Sequence, residues 1–144
     1  MLNKRKANKN DYETIITIWE KSAKATHYFL TKEDFDFYKE VIPKHLDDVD
    51  LALWSDKEKV IGFSGTNDSE LVMLFLDPDF IGKRYGSYIL TKLMSQEGIT
   101  KIDVNSQNEK AKTFYLYHGF EIVSEDLVDG FGKPYPITHL EKIK

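Results

Sequence analysis

Leu71-Val72-Met73-Leu74-Phe75-Leu76-Asp77-Pro78-Asp79-Phe80-Ile81-Gly82-Lys83-Arg84-Tyr85-Gly86 is the stretch on which the fold turns. Its first six residues are apolar without interruption, the pattern of a short central strand covered on both faces rather than one. Asp77 and Pro78 end that strand. From Lys83 onward Tyr85, Ile89 and Leu93 recur at four-residue spacing with Leu90 and Met94 beside them, which predicts a helix with one apolar stripe. Gly98 stops it. Between the two elements, the glycines of residues 80–86 let backbone approach a ligand closely. The helix start also leaves several amide N–H groups without intrahelical partners. Such a loop is a candidate anion site.

Working outward from this centre, residues 3–7 predict a first strand. Asn10 or Asp11 caps a helix carrying Tyr12, Ile15, Ile16 and Trp19. The segment 26–30 breaks helical periodicity, and Thr31 with Asp34 makes a capping-box-like start for a second helix through Phe35, Tyr38 and Ile42. Leu51 and Leu53, then Val60, Ile61 and Phe63, flank Ser55-Asp56-Lys57-Glu58 as a hairpin, and Asn67-Asp68-Ser69 turns the chain into the central strand. After Gly98, Ile99, Ile102 and Val104 form a strand which, because a helix intervenes, lies parallel to the central one. The carboxyl ends of the two strands then face the same side, so the Gly82 loop and Asn105-Ser106-Gln107-Asn108 border one crevice. A last helix from about Glu109 buries Ala111, Phe114, Tyr115 and His118 and stops at Gly119. Strands near 120–125 and 135–140 complete the chain.

Composition bounds the partners. A length of 144 residues predicts one domain spanning 1–144, and a net charge of −4 gives no global field for a polyanion. Nucleic acid and membranes are therefore not expected partners, and a basic site must be local. The absence of cysteine excludes thiolate chemistry and disulfides and agrees with a cytoplasmic location. Four scattered histidines have no metal-ligand spacing, so no metal is expected. Neither G-x-G-x-x-G nor G-x-x-x-x-G-K-[ST] occurs, which removes the Rossmann and P-loop readings of the glycine loop.

The order strand, two helices, three strands, helix, strand, helix, two strands resembles the GNAT superfamily of acyl-CoA-dependent N-acetyltransferases over nearly the whole chain. The loop 81–86 lies where that family has Arg or Gln, two variable residues, Gly, one variable residue, then Gly or Ala. Here Gly86 matches, while Ile81 and Arg84 depart. Asn105 and Asn108, Ala111, Phe114-Tyr115 and Gly119-Phe120 match the family's second pattern at its spacing. Residues 25–30 and 132–136 resemble a subfamily of small bacterial members that includes peptide and protein acetyltransferases. The resemblance implies an α+β fold with a mixed, mostly antiparallel sheet of about seven strands and four helices.

It also implies acetyl-CoA as co-substrate, with pantetheine on the main chain near Phe75 and Leu76 and pyrophosphate on Ile81, Gly82, Lys83, Arg84, Tyr85, Gly86 and Ser87. Asn105, Asn108 and Tyr115 complete that set. The residues themselves leave Gly82 and Gly86 open to a plain strand-to-helix turn, and Asn108 to a plain helix cap. Direct transfer needs a neutral amine, an oxyanion donor and an acid for the departing thiolate. By resemblance Tyr115 is that acid, and an ordinary phenol keeps its proton at neutral pH. His27, in the break between the first two helices, is the candidate relay for the amine proton. Glu70 opens the central strand about 20 Å from its carboxyl end and is set aside on that distance. The acceptor is an amine on a small molecule, peptide or protein, and the enzyme is a monomer or homodimer. The rival reading is a non-catalytic acyl-CoA-sensing or interaction domain whose loop has lost function through Ile81 and Arg84.

Overall fold

The computed structural model describes residues 2–26 and 29–143. The strands are β1 (Leu2–Lys6), β2 (Asp50–Asp56), β3 (Lys59–Asn67), β4 (Glu70–Leu76), β5 (Lys101–Asn105), β6 (Phe120–Asp126) and β7 (Ile137–Lys142). The helices are α1 (Tyr12–Thr26), α2 (Lys32–His45), α3 (Tyr85–Glu97) and α4 (Glu109–Tyr117). All seven strands join one sheet in the order β1-β2-β3-β4-β5-β7-β6, antiparallel except where β5 lies parallel to β4. This is the expected architecture, with α3 as the crossover that parallel neighbours require.

Strand alternation sends neighbouring residues into two cores. Leu53 joins Ile15, Trp19, Tyr38 and Phe63 beneath α1 and α2, while Trp54 joins Ile89, Leu93, Tyr115 and Phe120 beneath α3 and α4. Burying the Trp54 indole leaves an N–H to satisfy, and its Nε1 donates to Ser64 Oγ at 2.9 Å.

The local signals fare unevenly. Gly98, at φ +65°, closes α3 in the left-handed conformation that glycine adopts without a Cβ penalty. Thr31 caps α2 by accepting from the Asp34 N–H at 3.1 Å. The cap of the first helix is corrected: Asn8, not Asn10 or Asp11, accepts from a backbone N–H, and the Asp11 carboxylate accepts from Asn8 N, because a 3-10 turn at Lys9–Asp11 precedes α1. The Asp34 carboxylate accepts from the Tyr135 hydroxyl and from Lys133 Nζ, fastening α2 to the segment between β6 and β7.

The expectation that residues 71–76 are buried on both faces also fails. Leu71 is buried, but Val72 to Leu76 are only half-buried. The reason lies in the pairing. Gly65 and Thr66 of β3 face Met73 and Leu71, so Val72 is an extra residue, a β-bulge that twists the strand. Pairing to β5 stops at Glu70–Lys101 and Leu71–Ile102, and from there the two strands part.

On its other edge β4 is pressed closely against β3. A Cβ built at Gly62 would lie 2.6 Å from the Phe75 carbonyl oxygen and 2.8 Å from Leu76 Cδ2. Gly62→Ala should therefore push β4 toward the cleft and lower stability by about 1–3 kcal/mol, measurable by denaturant unfolding. A fall well below that range would mean that β4 yields without strain.

Candidate active site

Where β4 and β5 part, a cleft of about 390 Å³ opens. Val72 to Phe75 form one wall and Asp103, Val104 and Asn105 the other, with Asn108, Ala111 and Tyr115 closing it from the α4 side. Phe75 thus stands at the cleft, its ring stacked on Phe63 at 5.4 Å, while Leu76 packs under Gly62 and Gly86. A buried strand edge carries main-chain donors and acceptors that need partners, so the opening suits a ligand with amide groups of its own.

The glycine loop lies at the carboxyl end of β4, as expected. The first bond of α3 runs from Tyr88 N to Arg84 O, so the amides of Tyr85, Gly86 and Ser87 precede the helical ladder. Arg84 has φ +64°, the left-handed conformation, so the backbone has the shape a glycine would take while the side chain adds charge. Ile81 is 53% exposed. The Tyr85 hydroxyl donates to Asp56 at 2.6 Å and is anchored there, which leaves only the main chain of that residue facing the loop. A Cβ on Gly86 would meet Phe114 Cζ at 3.4 Å, so the small residue also lets α3 close against α4.

Tyr115 is 6% exposed and lines the cleft. Among the described residues it has no hydrogen-bond partner, and its hydroxyl is not sealed off. Burial pushes its pKa well above the ordinary phenol value, so it holds its proton. Asn105 and Asn108 both line the cleft, yet each uses its amide oxygen locally: Asn105 accepts from Gln107 N at 3.0 Å and Asn108 from Ala111 N at 3.2 Å. The helix-cap reading of Asn108 is thereby met, and the amide NH2 groups remain for a ligand. His27 lies outside the described residues. His118 Nδ1 pairs with the Phe114 carbonyl and His45 with Asp48, both away from the cleft lining.

A cluster that the sequence reading set aside adjoins the cleft. Asp103 lines both the cleft and a neighbouring recess shared with Glu70, Lys101 and His139. His139 bridges two carboxylates, Nδ1 to Asp103 at 2.5 Å and Nε2 to Asp126 at 2.7 Å, and both contacts hold its pKa above the ordinary value. Glu70 is pushed up to about 7, first by its hydrogen bond to Asp103 and then by burial and by the Asp103 charge. Glu70 does open β4, at the opposite end from the glycine loop, but the cleft lining begins at Val72, two residues from Glu70. Acidic residues inside apolar strands at 70 and 103 were the available signal; the bulge was not.

On the face carrying α1 and α2 lies a smaller cavity of about 130 Å³, lined by Trp19, Ala23, Leu30, Tyr38 and Ile42 and bounded by Asn105 and Asp129. The Tyr38 hydroxyl donates to Asp129, whose other oxygen accepts from the Phe131 and Lys133 amides. Among the described residues no group of three or more His, Cys, Asp or Glu is placed to hold a metal, and no helix is long and apolar enough to cross a membrane.

Known proteins resemble this chain in sequence and in fold. The chain is 31% identical to the peptidyl-lysine N-acetyltransferase YjaB of Salmonella typhimurium, over 97% of each chain. It is 28% identical to the spermidine N(1)-acetyltransferase of Thermoplasma acidophilum, over 85% of this chain and 89% of that one. The solution structure of the apo form of YjaB from Escherichia coli superposes with a TM-score of 0.90 at 28% identity, covering 99% of this chain and 98% of that one. Residues 49–122, from just before β2 to the start of β6 and so including the glycine loop and both strands that border the cleft, match the acetyltransferase (GNAT) domain. By fold, by cleft and by sequence the chain belongs to the GNAT acetyltransferases, which transfer an acetyl group from acetyl-CoA to an amine.

Proposed function

We propose that this enzyme acetylates the side-chain amine of lysine in a peptide or protein, by direct transfer within a ternary complex with acetyl-CoA. The observation that carries the proposal is the two-sided cleft, with a proton-holding phenol on the α4 side and, on the other, Asp103, which it shares with the recess holding Glu70. Acetyl-CoA lies in the opening between β4 and β5, its pyrophosphate at the start of α3. There amide donors and the helix dipole favour negative charge, the dipole by roughly 0.3–1 kcal/mol. The lysine name carried by the YjaB relatives supports the acceptor class. So does the recess at Glu70 and Asp103, which offers an ammonium group negative charge on its way to the thioester.

The roles then follow from the environments. The amine gives up a proton through water to the Glu70–Asp103 pair, and its nitrogen attacks the thioester carbonyl. As the carbon–sulfur bond breaks, Tyr115 protonates the thiolate. An acid held protonated by burial and a carboxylate poised near neutrality are the pair of shifted groups such a transfer calls for.

Tyr115→Phe should lower kcat by about a hundredfold or more, while calorimetry finds acetyl-CoA affinity nearly unchanged. Unchanged turnover would remove Tyr115 as the acid. At saturating substrates the wild-type kcat should rise with pH through about 7 as Glu70 loses its proton, a limb that Glu70→Gln removes. The sign of the stability effect is fixed by the same shift. Because the folded value lies above the ordinary 4.5, Glu70 contributes stability below 4.5 that is lost as pH rises to about 7. Glu70→Gln should thus be at least as stable as wild type at pH 8, with lower turnover. If the acidic limb persists in that variant, another group takes the proton. Arg84→Gly relieves left-handed strain, so melting temperature should hold or rise, while acetyl-CoA affinity falls roughly two- to fivefold with the lost surface charge. Unchanged affinity would mean that the guanidinium does not face the phosphates.

A further inference from the structure

The recess beside the cleft is lined from β4, β5, β6 and β7, with no helix residue in its wall among the described residues. Cross-strand register arranges its polar groups. Asp103 of β5 and His139 of β7 are direct partners, so both side chains leave the same face of the sheet. On the other side of β7, His139 partners Ser124 of β6, and Asp126 stands two residues further on that same face. A bulge decides this last position. Ile122 partners Leu140 and Ser124 partners His139, so Val123 is an extra residue in β6. Without it Glu125 would face Ile137, and Asp126 would point to the opposite side of the sheet.

The imidazole is therefore held at both nitrogens. Nδ1 meets Asp103 and Nε2 meets Asp126, and two ionised carboxylates are both satisfied only when the ring carries both protons and a positive charge. The Asp126 side chain is 69% exposed, whereas Asp103 lines the cleft. His139 thus brings a cation to a cleft carboxylate without lining the cleft itself. The other charged groups of the recess are Glu70 on β4, Lys101 on β5 and Glu141 on β7. Lys101 and Glu141 are register partners of opposite sign and offset one another. Lys101 also favours the ionised form of Glu70, but His139 does so more strongly, and it is His139 that bonds Asp103.

We infer that His139 is a positioning residue for the transfer: anchored by Asp126, it fixes the Asp103 carboxylate and keeps the Glu70–Asp103 pair able to receive the amine's proton. The inference rests on the proton-transfer reading above. Two carboxylates in hydrogen-bond contact resist joint ionisation, and a cation bonded to one of them lowers that cost. The bonds that change stay the same. The pair takes a proton from the amine nitrogen, which bonds to the acetyl carbon as the carbon–sulfur bond breaks, and Tyr115 protonates the sulfur. His139 keeps both its protons throughout.

The test compares the pH profile of kcat for wild type, His139→Gln and His139→Lys, with saturating acetyl-CoA and one lysine peptide. Gln can still bond a carboxylate but has no charge, and Lys keeps the charge without the ring. In wild type kcat should rise through about 7. In His139→Gln the rise should move to higher pH, with kcat about tenfold below wild type at pH 6.5 and within about twofold at pH 9, as a tenfold change in the proton affinity of the pair would give. The peptide KM should hold or fall, because losing a positive charge leaves the recess more attractive to a cation. His139→Lys should return kcat at pH 6.5 to within about threefold of wild type. NMR titration of the ring adds a reading that needs no turnover: His139 should titrate above the ordinary 6.5, and Asp126→Asn, at an exposed side chain, should bring it down. An equal loss of kcat at every pH in His139→Gln, or no loss at all, would overturn the inference and leave the proposed function standing. A Lys variant as slow as the Gln variant at pH 6.5, or a ring already neutral below 6.5, would do the same. Absence of the rise near 7 in wild type would overturn the base pair, and this inference with it.

Discussion

Two adjacent strands that pair for two residues and then separate create a problem of unmet hydrogen bonds, and the rest of this molecule is arranged around it. β4 and β5 pair at Glu70–Lys101 and Leu71–Ile102, and the extra residue Val72 turns β4 away. A sheet opened at its middle would collapse or slip unless both halves were pinned. Here β3 grips β4 so closely that Gly62 admits no side chain, and β7 pairs with β5 along its whole length. Main chain exposed inside an apolar gap is expensive to leave bare. A ligand bearing its own amides is the natural way to satisfy it, and the opening suits such a ligand because the sheet is incomplete there.

The chemistry divides along the same line. The α3 and α4 side supplies the start of α3, its dipole and the buried phenol of Tyr115, all suited to the anionic donor and its departing sulfur. The α1 and α2 side, with the open sheet beyond it, supplies carboxylates for a cation and an apolar hollow. Burial raises Tyr115, and the hydrogen bond to Asp103 followed by burial raises Glu70, to different ends: the phenol keeps its proton throughout the neutral range, while the carboxylate exchanges one near pH 7. In the proposed mechanism the first is the acid and the second the base, the base owing its shift chiefly to Asp103.

What could be read from the sequence follows what is local. The stripe Tyr85, Ile89, Leu93 and the stop at Gly98 specify α3 within a few residues, and Thr31 specifies the start of α2, because caps and periodicity act over one or two turns. The resemblance that pointed to Tyr115 runs over one continuous segment, residues 105–120, and that residue does line the cleft. The bulge at Val72 was hidden, since an uninterrupted apolar run reads the same with or without an extra residue, and burial of residues 72–76 was overestimated accordingly. The value of Glu70 was hidden for the same reason: its neighbours Asp103 and His139 reach it across strands, 33 and 69 residues away in the chain. The Asp34 bond to Tyr135 likewise spans 101 residues, so a helix-cap motif gave no hint of the loop it holds.

The separation of the two cores has a consequence for how such a protein diversifies. The α1 and α2 face, with the 129–135 segment, coheres through Asp34, Tyr135, Lys133, Tyr38 and Asp129, and its buried residues are separate from those of the core under α3 and α4. Substitutions that reshape one wall therefore leave the other's packing intact. One face can thus change its surface while the other keeps its packing, a modularity that resides in the two faces of one sheet rather than in separate domains.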